Sequence, residues 1–448
     1  MNAGAHRTSG TPVSGRRVGV WPLRVPAHRA SSAVLAGAYP FLAPAPPQAG
    51  VYIGPDALTG EAFAFDPWAL YAAGELTNPN MLLAGVIGQG KSALAKSLAL
   101  RSLAAGRRVY VPGDPKGEWA PLADAVGGTV IRIGPGLATR LNPLDAPPAS
   151  RGSRNSSATV LAAVAATLLG RDLAPAEHTA LHAALNAVRA DAAPTLPRLV
   201  DALADPDLAA AAADRTNVAA RTRDGADLVH ALRRLTRGDL AGMFDGPSTH
   251  RLDPSAPMVV LDLSALGSDD IALAIAMTCA SAWLEQSLTT SGDQPGPRWV
   301  VYDEAWRLLR SPALLGRMQA QWKLSRAYGI ANLLILHRLS DLDAVAATGT
   351  AGRAIADGLL ADCSTRVIYR QEADQLAATA RALGLTGAER EVIAVLPRGT
   401  GMWKLPARSH LVHHRLHVDE LTLVDTDAAM TGTATNHAAR GTATGGAR

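Results

Sequence analysis

The sequence predicts an α/β fold built on a mostly parallel central sheet, and three observations carry that expectation. Apolar runs of strand length alternate with Ala- and Leu-rich stretches of helical length along most of the chain. A glycine-rich segment, Gly85-Val-Ile-Gly88-Gln89-Gly90-Lys91-Ser92, joins one such run to one such stretch. A later run, Arg298 to Tyr302, ends in the adjacent carboxylates Asp303 and Glu304. Parallel strands need crossover helices between them, and strand, helix, strand at these intervals supplies them.

The glycine-rich segment is the most specific of the three. Met81 to Ala84 reads as a strand and Ser92 to Ala104 as a helix, so G-x-x-x-x-G-K-S stands in the context a phosphate-binding loop requires. Glycines let the backbone fold back so that successive N–H groups surround the phosphates, and the helix N-terminus adds its positive dipole end. The predicted cradle is Gly85, Gly88, Gln89, Gly90, Lys91, Ser92 and Ala93. Lys91 reaches the β/γ-phosphates, and the Ser92 hydroxyl completes a Mg²⁺ shell otherwise made of water and phosphate. The chain is strongly Arg-biased and its only lysines are Lys91, Lys96, Lys116, Lys323 and Lys404. A lysine at the one position that demands it is not drift.

In chain order, residues 1–49 contain Arg7, Arg16, Arg17, Arg24 and Arg29, no acidic residue and a Pro-rich end. They read as a disordered tail, with a basic arm for anionic lipid or a partner subunit as the alternative. Residues 50–149 form the first part of the nucleotide domain. Two short strands flank the turn Asp56 to Gly60, and Trp68 packs beneath the domain. After the phosphate loop, a strand from Arg107 to Pro112 runs into Asp114-Pro-Lys116-Gly117-Glu118-Trp119, where a helix starts. A further strand, Thr129 to Ile133, precedes the loop Leu141-Asn-Pro-Leu144.

Residues 150–250 change character. Ser157 to Leu169, Pro175 to Ala190, Leu196 to Ala204 and Leu228 to Leu235 all read helical, punctuated by Pro and Gly. This is an all-helical insertion, too polar and interrupted for a membrane hairpin. The sheet resumes in 251–424. Strands are expected at Met258 to Leu263, Arg298 to Tyr302, Ala331 to Leu336 and Ser364 to Tyr369. Helices are expected at Ile271 to Ser287, Pro312 to Tyr328, Glu372 to Leu383 and Gly387 to Leu396. A β-pair, Gly401 to Leu405 with His410 to Leu416, closes the domain, and 425–448 is a low-complexity tail without assigned structure.

Bulk properties narrow the function classes. With 448 residues, nearly half of them apolar, the chain can bury a sizeable core. A net charge of +4 permits nucleic-acid contact without indicating it. Cys279 and Cys363 sit in apolar stretches without metal-like spacing, as in a reduced cytosolic protein. No apolar run reaches the length of a membrane span, and the start lacks a signal-peptide pattern.

Hydrolysis needs a carboxylate for the metal shell and a second one to orient water. The Arg298 strand delivers both at its C-terminal edge: Asp303 beside Ser92 for Mg²⁺, and Glu304 facing the γ-phosphate. The following strand ends at His337, whose imidazole can sense the γ-phosphate by hydrogen bonding. Arg326, in the helix before that strand, is the candidate for completing a neighbouring subunit's site, with Arg366 and Arg370 as rivals. Asp114 to Glu118 lies at the ligand-binding edge, although Glu118 also suits a helix N-terminus. His410, His413, His414 and His417 match no standard metal spacing and read as a strand with solvated histidines.

GVIGQGKS, DPKGEW, VVYDEAW and the strand ending HRLSDL occur in this order. Together they resemble the HerA/FtsK superfamily of P-loop motors, and within it the VirB-four-like ATPases of type IV secretion and conjugation. IGPDALTGEAFAFDPW, LNPL and CSTRVIYRQ…LGLTGAEREVIAVLPRGTGMW extend the resemblance over roughly 50–420. It implies a RecA-like P-loop NTPase fold and ATP with Mg²⁺ as cofactors. By the same resemblance Lys91 and Ser92 are phosphate and metal contacts, Asp303 is the Mg²⁺ carboxylate, and Glu304 is the catalytic carboxylate. Arg326 becomes the trans-acting arginine of a hexameric ring. His337 stands where the family usually has glutamine, and the family's larger N-terminal domain has no counterpart here. The expected function is an ATP-hydrolysing motor for conjugative transfer. Its partners are copies of itself, channel or coupling proteins and, without sequence preference, DNA; membrane association is peripheral and through those partners. A hexameric DNA translocase or coupling protein is the alternative, and a non-hydrolysing ATP-binding assembly subunit is a third reading.

Overall fold

The computed structural model describes residues 49–145, 153–189, 191, 193–213, 215–250, 253, 255–290, 296–308, 311–338 and 351–424. The two expected tails lie outside these residues apart from Ala49. Among the described residues there are eleven strands: β1 (Val51–Pro55), β2 (Ala62–Phe65), β3 (Met81–Ala84), β4 (Arg108–Asp114), β5 (Thr129–Arg132), β6 (Met258–Asp262), β7 (Arg298–Tyr302), β8 (Ile330–Leu336), β9 (Thr365–Ile368), β10 (Thr400–Lys404) and β11 (Ser409–His413). Nine of them form one sheet in the order β11-β10-β9-β3-β8-β7-β4-β6-β5. Every pairing from β9 to β5 is parallel, and β10 and β11 run antiparallel at one side.

The alternation of side chains along each strand divides the apolar residues between two cores. Leu82, Tyr110, Val300, Tyr302 and Leu334 face one layer; Met81, Leu83, Val109, Trp299, Val301 and Leu333 face the other. Helices cover both faces, so the central strands are apolar on both sides, as a parallel sheet requires. The phosphate-loop helix Lys91–Ala104 and the β1–β2 hairpin cover the second face. Phe63 and Phe65 of the hairpin stand 5.0 and 5.1 Å from the Trp403 ring. Trp68 donates to the Gly329 carbonyl at 3.0 Å and meets Trp299 edge-on at 5.2 Å, the packing expected of it.

The 150–250 region is helical, with Ser153–Leu169, Pro175–Val188, Leu196–Ala204, Leu208–Ala213 and Val218–Arg237. Its apolar residues join the first core beside Tyr110, Ile131 and Leu261. Val218–Arg237 starts ten residues before the sequence suggests. Thr, Asp and Gly in 219–227 lower helix propensity, but Asn217 caps the first turn through Ala220 N at 2.9 Å. Gly225 packs beside Leu203, where a Cβ would lie 3.4 Å from the Leu203 carbonyl oxygen, an ordinary contact distance. Two helices are additional to those expected around the last strands, Ala351–Ala361 and Val418–Val424.

The C-terminal pair is locked to the helix Gly387–Val395 by a buried carboxylate. Glu389 reaches back to Thr386 N at 2.8 Å in a capping box and accepts from Lys404 Nζ at 2.8 Å. Burial pushes its pKa up, but Lys404, Ser409 and Thr386 outweigh it and hold the carboxyl below its ordinary 4.5. A depressed carboxyl stabilises the fold above its unfolded pKa and loses that contribution as pH falls through the folded value. Lys404→Ala strands the Glu389 charge and is expected to cost about 3 kcal/mol at pH 7, read as a lower urea midpoint. The gap from wild type should shrink on acidification below the ordinary carboxylate range; a gap independent of pH would contradict this account.

Candidate active site

The parallel sheet sets where the chemistry lies. The phosphate loop follows β3, Asp303 and Glu304 follow β7, His337 follows β8, and Lys116 follows β4. All four therefore emerge at one edge, and β8 intervenes between β3 and β7.

Gly85, Gly88, Gln89 and Gly90 lie in the strand-to-helix turn, and Lys91, Ser92 and Ala93 open the helix that follows. Gly85 has φ +154°, and a Cβ there would stand 2.6 Å from the Tyr369 Cβ, so no side chain fits. Gly90, at φ +104°, is the residue from which the helix Lys91–Ala104 starts. The backbone amide of Gly399, just before β10, donates to the Gln89 carbonyl at 3.0 Å and ties the loop to the C-terminal pair. The Lys91 ammonium is buried and folds back on its own loop, donating to the Gly85 carbonyl and to the Val86 carbonyl at 2.9 Å. Burial lowers its pKa to about 8, with Glu304 and Asp303 pulling it up and Lys116 pushing it down. Lys91 and the carboxylate pair thus share one electrostatic site.

Asp303 is buried, and both its oxygens are engaged. Oδ2 accepts from the Trp119 indole at 2.9 Å and Oδ1 from the Glu304 amide at 2.9 Å. Burial raises its pKa, and the neighbouring Glu304 adds to the rise. Glu304 adopts a left-handed backbone, φ +50°, which a non-glycine residue holds only where its surroundings enforce it. Its Oε1 accepts from both the His337 Nε2, at 2.8 Å, and the Lys116 ammonium. His337 is therefore bound to the carboxylate proposed to orient water.

The DPKGEW segment is a built loop. Asp114 is fully buried and accepts from Glu118 N at 3.1 Å and Trp119 N at 2.7 Å, which turns the chain at the end of β4. Burial raises Asp114 to about 6. Glu118 pairs with Lys96 at 3.2 Å, a buried lysine of the phosphate-loop helix. Lys116 and Trp119 were not singled out by the sequence reading as site residues. The scarcity of lysine in the chain is the one local signal that bears on Lys116. Four of the chain's lysines, Lys91, Lys96, Lys116 and Lys404, have specific carbonyl or carboxylate partners.

Arg326 lies elsewhere. It is exposed in the turn before β8, whereas the phosphate loop follows β3, which runs parallel to β8. Strand β8 separates the two edges by roughly 20 Å, at about 3.3 Å per residue, so Arg326 does not reach this chain's own loop. Arg366 donates to the Leu383 carbonyl at 2.9 Å and is committed to the fold. The Arg370 carbonyl accepts from Val86 N at 3.2 Å, which sets that residue beside the loop in the same chain. His410, His413 and His414 have separate neighbours in Asp56, Thr400 and the Gly399 carbonyl. No cluster of three or more His, Cys, Asp or Glu side chains suited to a metal occurs among the described residues. A Mg²⁺ carried in by a triphosphate does not need one, because a hydroxyl and one carboxylate suffice beside water and phosphate oxygens. Ser92 and Asp303 fit that donor set.

The sheet order, the glycine loop after β3 and the carboxylate pair after β7 define a RecA-like P-loop NTPase fold. Within that class the chain is similar to the structure of VirB4 of Thermoanaerobacter pseudethanolicus, with a TM-score of 0.69 and 21% identity over 83% of this chain and 98% of that one. It is also similar to the plasmid coupling protein TrwB in complex with ADP and Mg²⁺, with a TM-score of 0.54 and 16% identity over 75% and 86% of the two chains. The bacterial conjugative coupling protein TrwBdeltaN70 in its unbound form matches with a TM-score of 0.52 at 14% identity, over 75% and 84%. The likeness to VirB-four-like ATPases read from the motifs is thus borne out in the fold. No protein-family model and no curated protein matches the sequence.

Trp119→Phe keeps the ring packing but removes the indole donor from a buried carboxylate oxygen. A loss of about 1–3 kcal/mol is expected, measured as a lower urea midpoint. An unchanged midpoint would mean that Asp303 does not depend on that bond.

Proposed function

We propose that the chain is an ATP-hydrolysing motor that energises conjugative transfer through a type IV secretion-like channel. One observation carries the reading: the loop ending in Lys91 and Ser92 and the pair Asp303–Glu304 stand at the same sheet edge, with Lys91 within the field of both carboxylates. In this reading the loop amides and Lys91 hold the β- and γ-phosphates. Ser92 and Asp303 hold Mg²⁺, which when bound offsets charge on the phosphates. Glu304 accepts a hydrogen bond from the attacking water and orients it in line with the γ-phosphorus. His337, hydrogen-bonded to Glu304, relates the state of the phosphate to the position of that carboxylate. Arg326, at the opposite edge, serves a neighbouring protomer's site, which calls for a closed ring, and a hexamer is the form we propose.

The similarity to VirB4 supports a secretion motor, and the similarity to TrwB supports a second reading, a coupling protein that moves DNA. No helix among the described residues is long and apolar enough to cross a membrane. Attachment to a membrane through partner proteins is part of the proposal. Stimulation of the ATPase by DNA, with salt-sensitive affinity, selects the coupling reading; indifference to DNA selects the secretion motor.

Lys91→Ala is expected to abolish nucleotide binding and hydrolysis, whereas Glu304→Gln keeps binding and loses turnover by about 10²-fold or more. Equal loss of binding in both variants, measured by calorimetry, would overturn the assigned roles. Arg326→Ala should lower turnover of the assembled oligomer while leaving nucleotide affinity of the monomer unchanged. An unaffected oligomer rate would remove Arg326 from the site.

A further inference from the structure

Resting on the nucleotide-binding reading above, we infer that Lys116 is a second phosphate lysine, whose ammonium leaves Glu304 for the γ-phosphoryl oxygens when a triphosphate binds, so that it selects triphosphate over diphosphate. The position argues for it. Lys116 pairs with Glu304, the carboxylate on the water side of the site, whereas Lys91 is held against the carbonyls of Gly85 and Val86 within the loop. The two ammonium groups thus stand on different sides of the site, Lys91 against the loop and Lys116 against the carboxylate pair.

The mounting argues for it as well. The backbone around Lys116 is fixed: Asp114 accepts from Glu118 N and Trp119 N, and Gly117 turns at φ +70°, where a Cβ would lie 3.3 Å from Ser264 Oγ. The side chain is half exposed (51%) while its Glu304 partner is buried. A rigid platform carrying a rotatable point charge suits a group that changes partner. This chain uses arginine almost everywhere else, and it uses lysine here.

Charge decides the direction of the exchange. A terminal phosphoryl group carries more negative charge than one carboxylate, so it competes for the ammonium at similar distance. Glu304 does not become unsupported when Lys116 departs, because His337 Nε2 remains 2.8 Å from the same oxygen. In the paired state the lysine occupies the oxygen that would accept from water. Its transfer to the γ-phosphate frees that oxygen only when a hydrolysable nucleotide is present.

The test titrates the full chain with a non-hydrolysable ATP analogue and with ADP, each with Mg²⁺, for wild type, Lys116→Ala and Lys116→Arg. Lys116→Ala is expected to lose about tenfold or more in affinity for the analogue, the worth of one charge-assisted hydrogen bond, while ADP affinity stays within about twofold. Lys116→Arg, which keeps the charge, should stay within about threefold for both. Equal loss for the two nucleotides would assign Lys116 a structural role and overturn the inference, as would undiminished analogue affinity in Lys116→Ala. Wild-type chain that binds neither nucleotide would overturn the nucleotide reading, and this inference with it, before any variant is compared.

Discussion

Glu304 is the point on which the site turns, and its surroundings follow from sheet order. Strands β8, β7 and β4 are consecutive neighbours running in the same direction. Strand ends about 4.8 Å apart bring the residues that follow them into contact. His337 after β8 and Lys116 after β4 therefore flank Glu304 after β7, and both reach the same carboxylate oxygen. The left-handed backbone at Glu304 turns the side chain into that gap. A different strand order with the same motifs would leave these three residues far apart.

Around this centre the protein keeps an unusual density of buried acid. Asp114, Asp262, Asp303 and Glu304 end three adjacent strands, and burial raises Asp114 and Asp303 above their ordinary range. The cost of holding such groups in a low-dielectric edge is met by local donors: the backbone amides of 118 and 119, the Trp119 indole, Ser264 and two lysines. Under the proposed function, such a region suits a divalent cation and a polyanion together.

Much of this was legible in the sequence, because the informative features were local. The phosphate loop is read from eight contiguous residues, and Asp303–Glu304 from the end of a single apolar run. Strand β8 was legible as a strand because its run and the helix before it are both continuous, whereas its place between β3 and β7 was not. What was not legible depended on pairing across the chain. The contact of Lys116 with Glu304 spans β4 and β7, and no local pattern states that these strands adjoin. The indole of Trp119 reaching Asp303 is the same kind of fact. Helix Val218–Arg237 was underestimated because its first half has poor intrinsic propensity, and its formation rests on the Asn217 cap and on burial of Leu228, Leu232 and Leu235 in the core.

The N-terminal hairpin has a consequence beyond its packing. Strand β11 is the outermost strand on its side of the sheet, the kind of border that can recruit a strand from another molecule. Here the Ala57 amide donates to the Leu411 carbonyl at 2.5 Å, Asp56 bridges Val412, and the Arg415 amide donates to the Ile53 carbonyl at 3.0 Å. That border is therefore already occupied by the chain itself. Copies of the protein cannot extend the sheet from one molecule to the next on that flank, and any stable association there must use side-chain surfaces instead of backbone ladders.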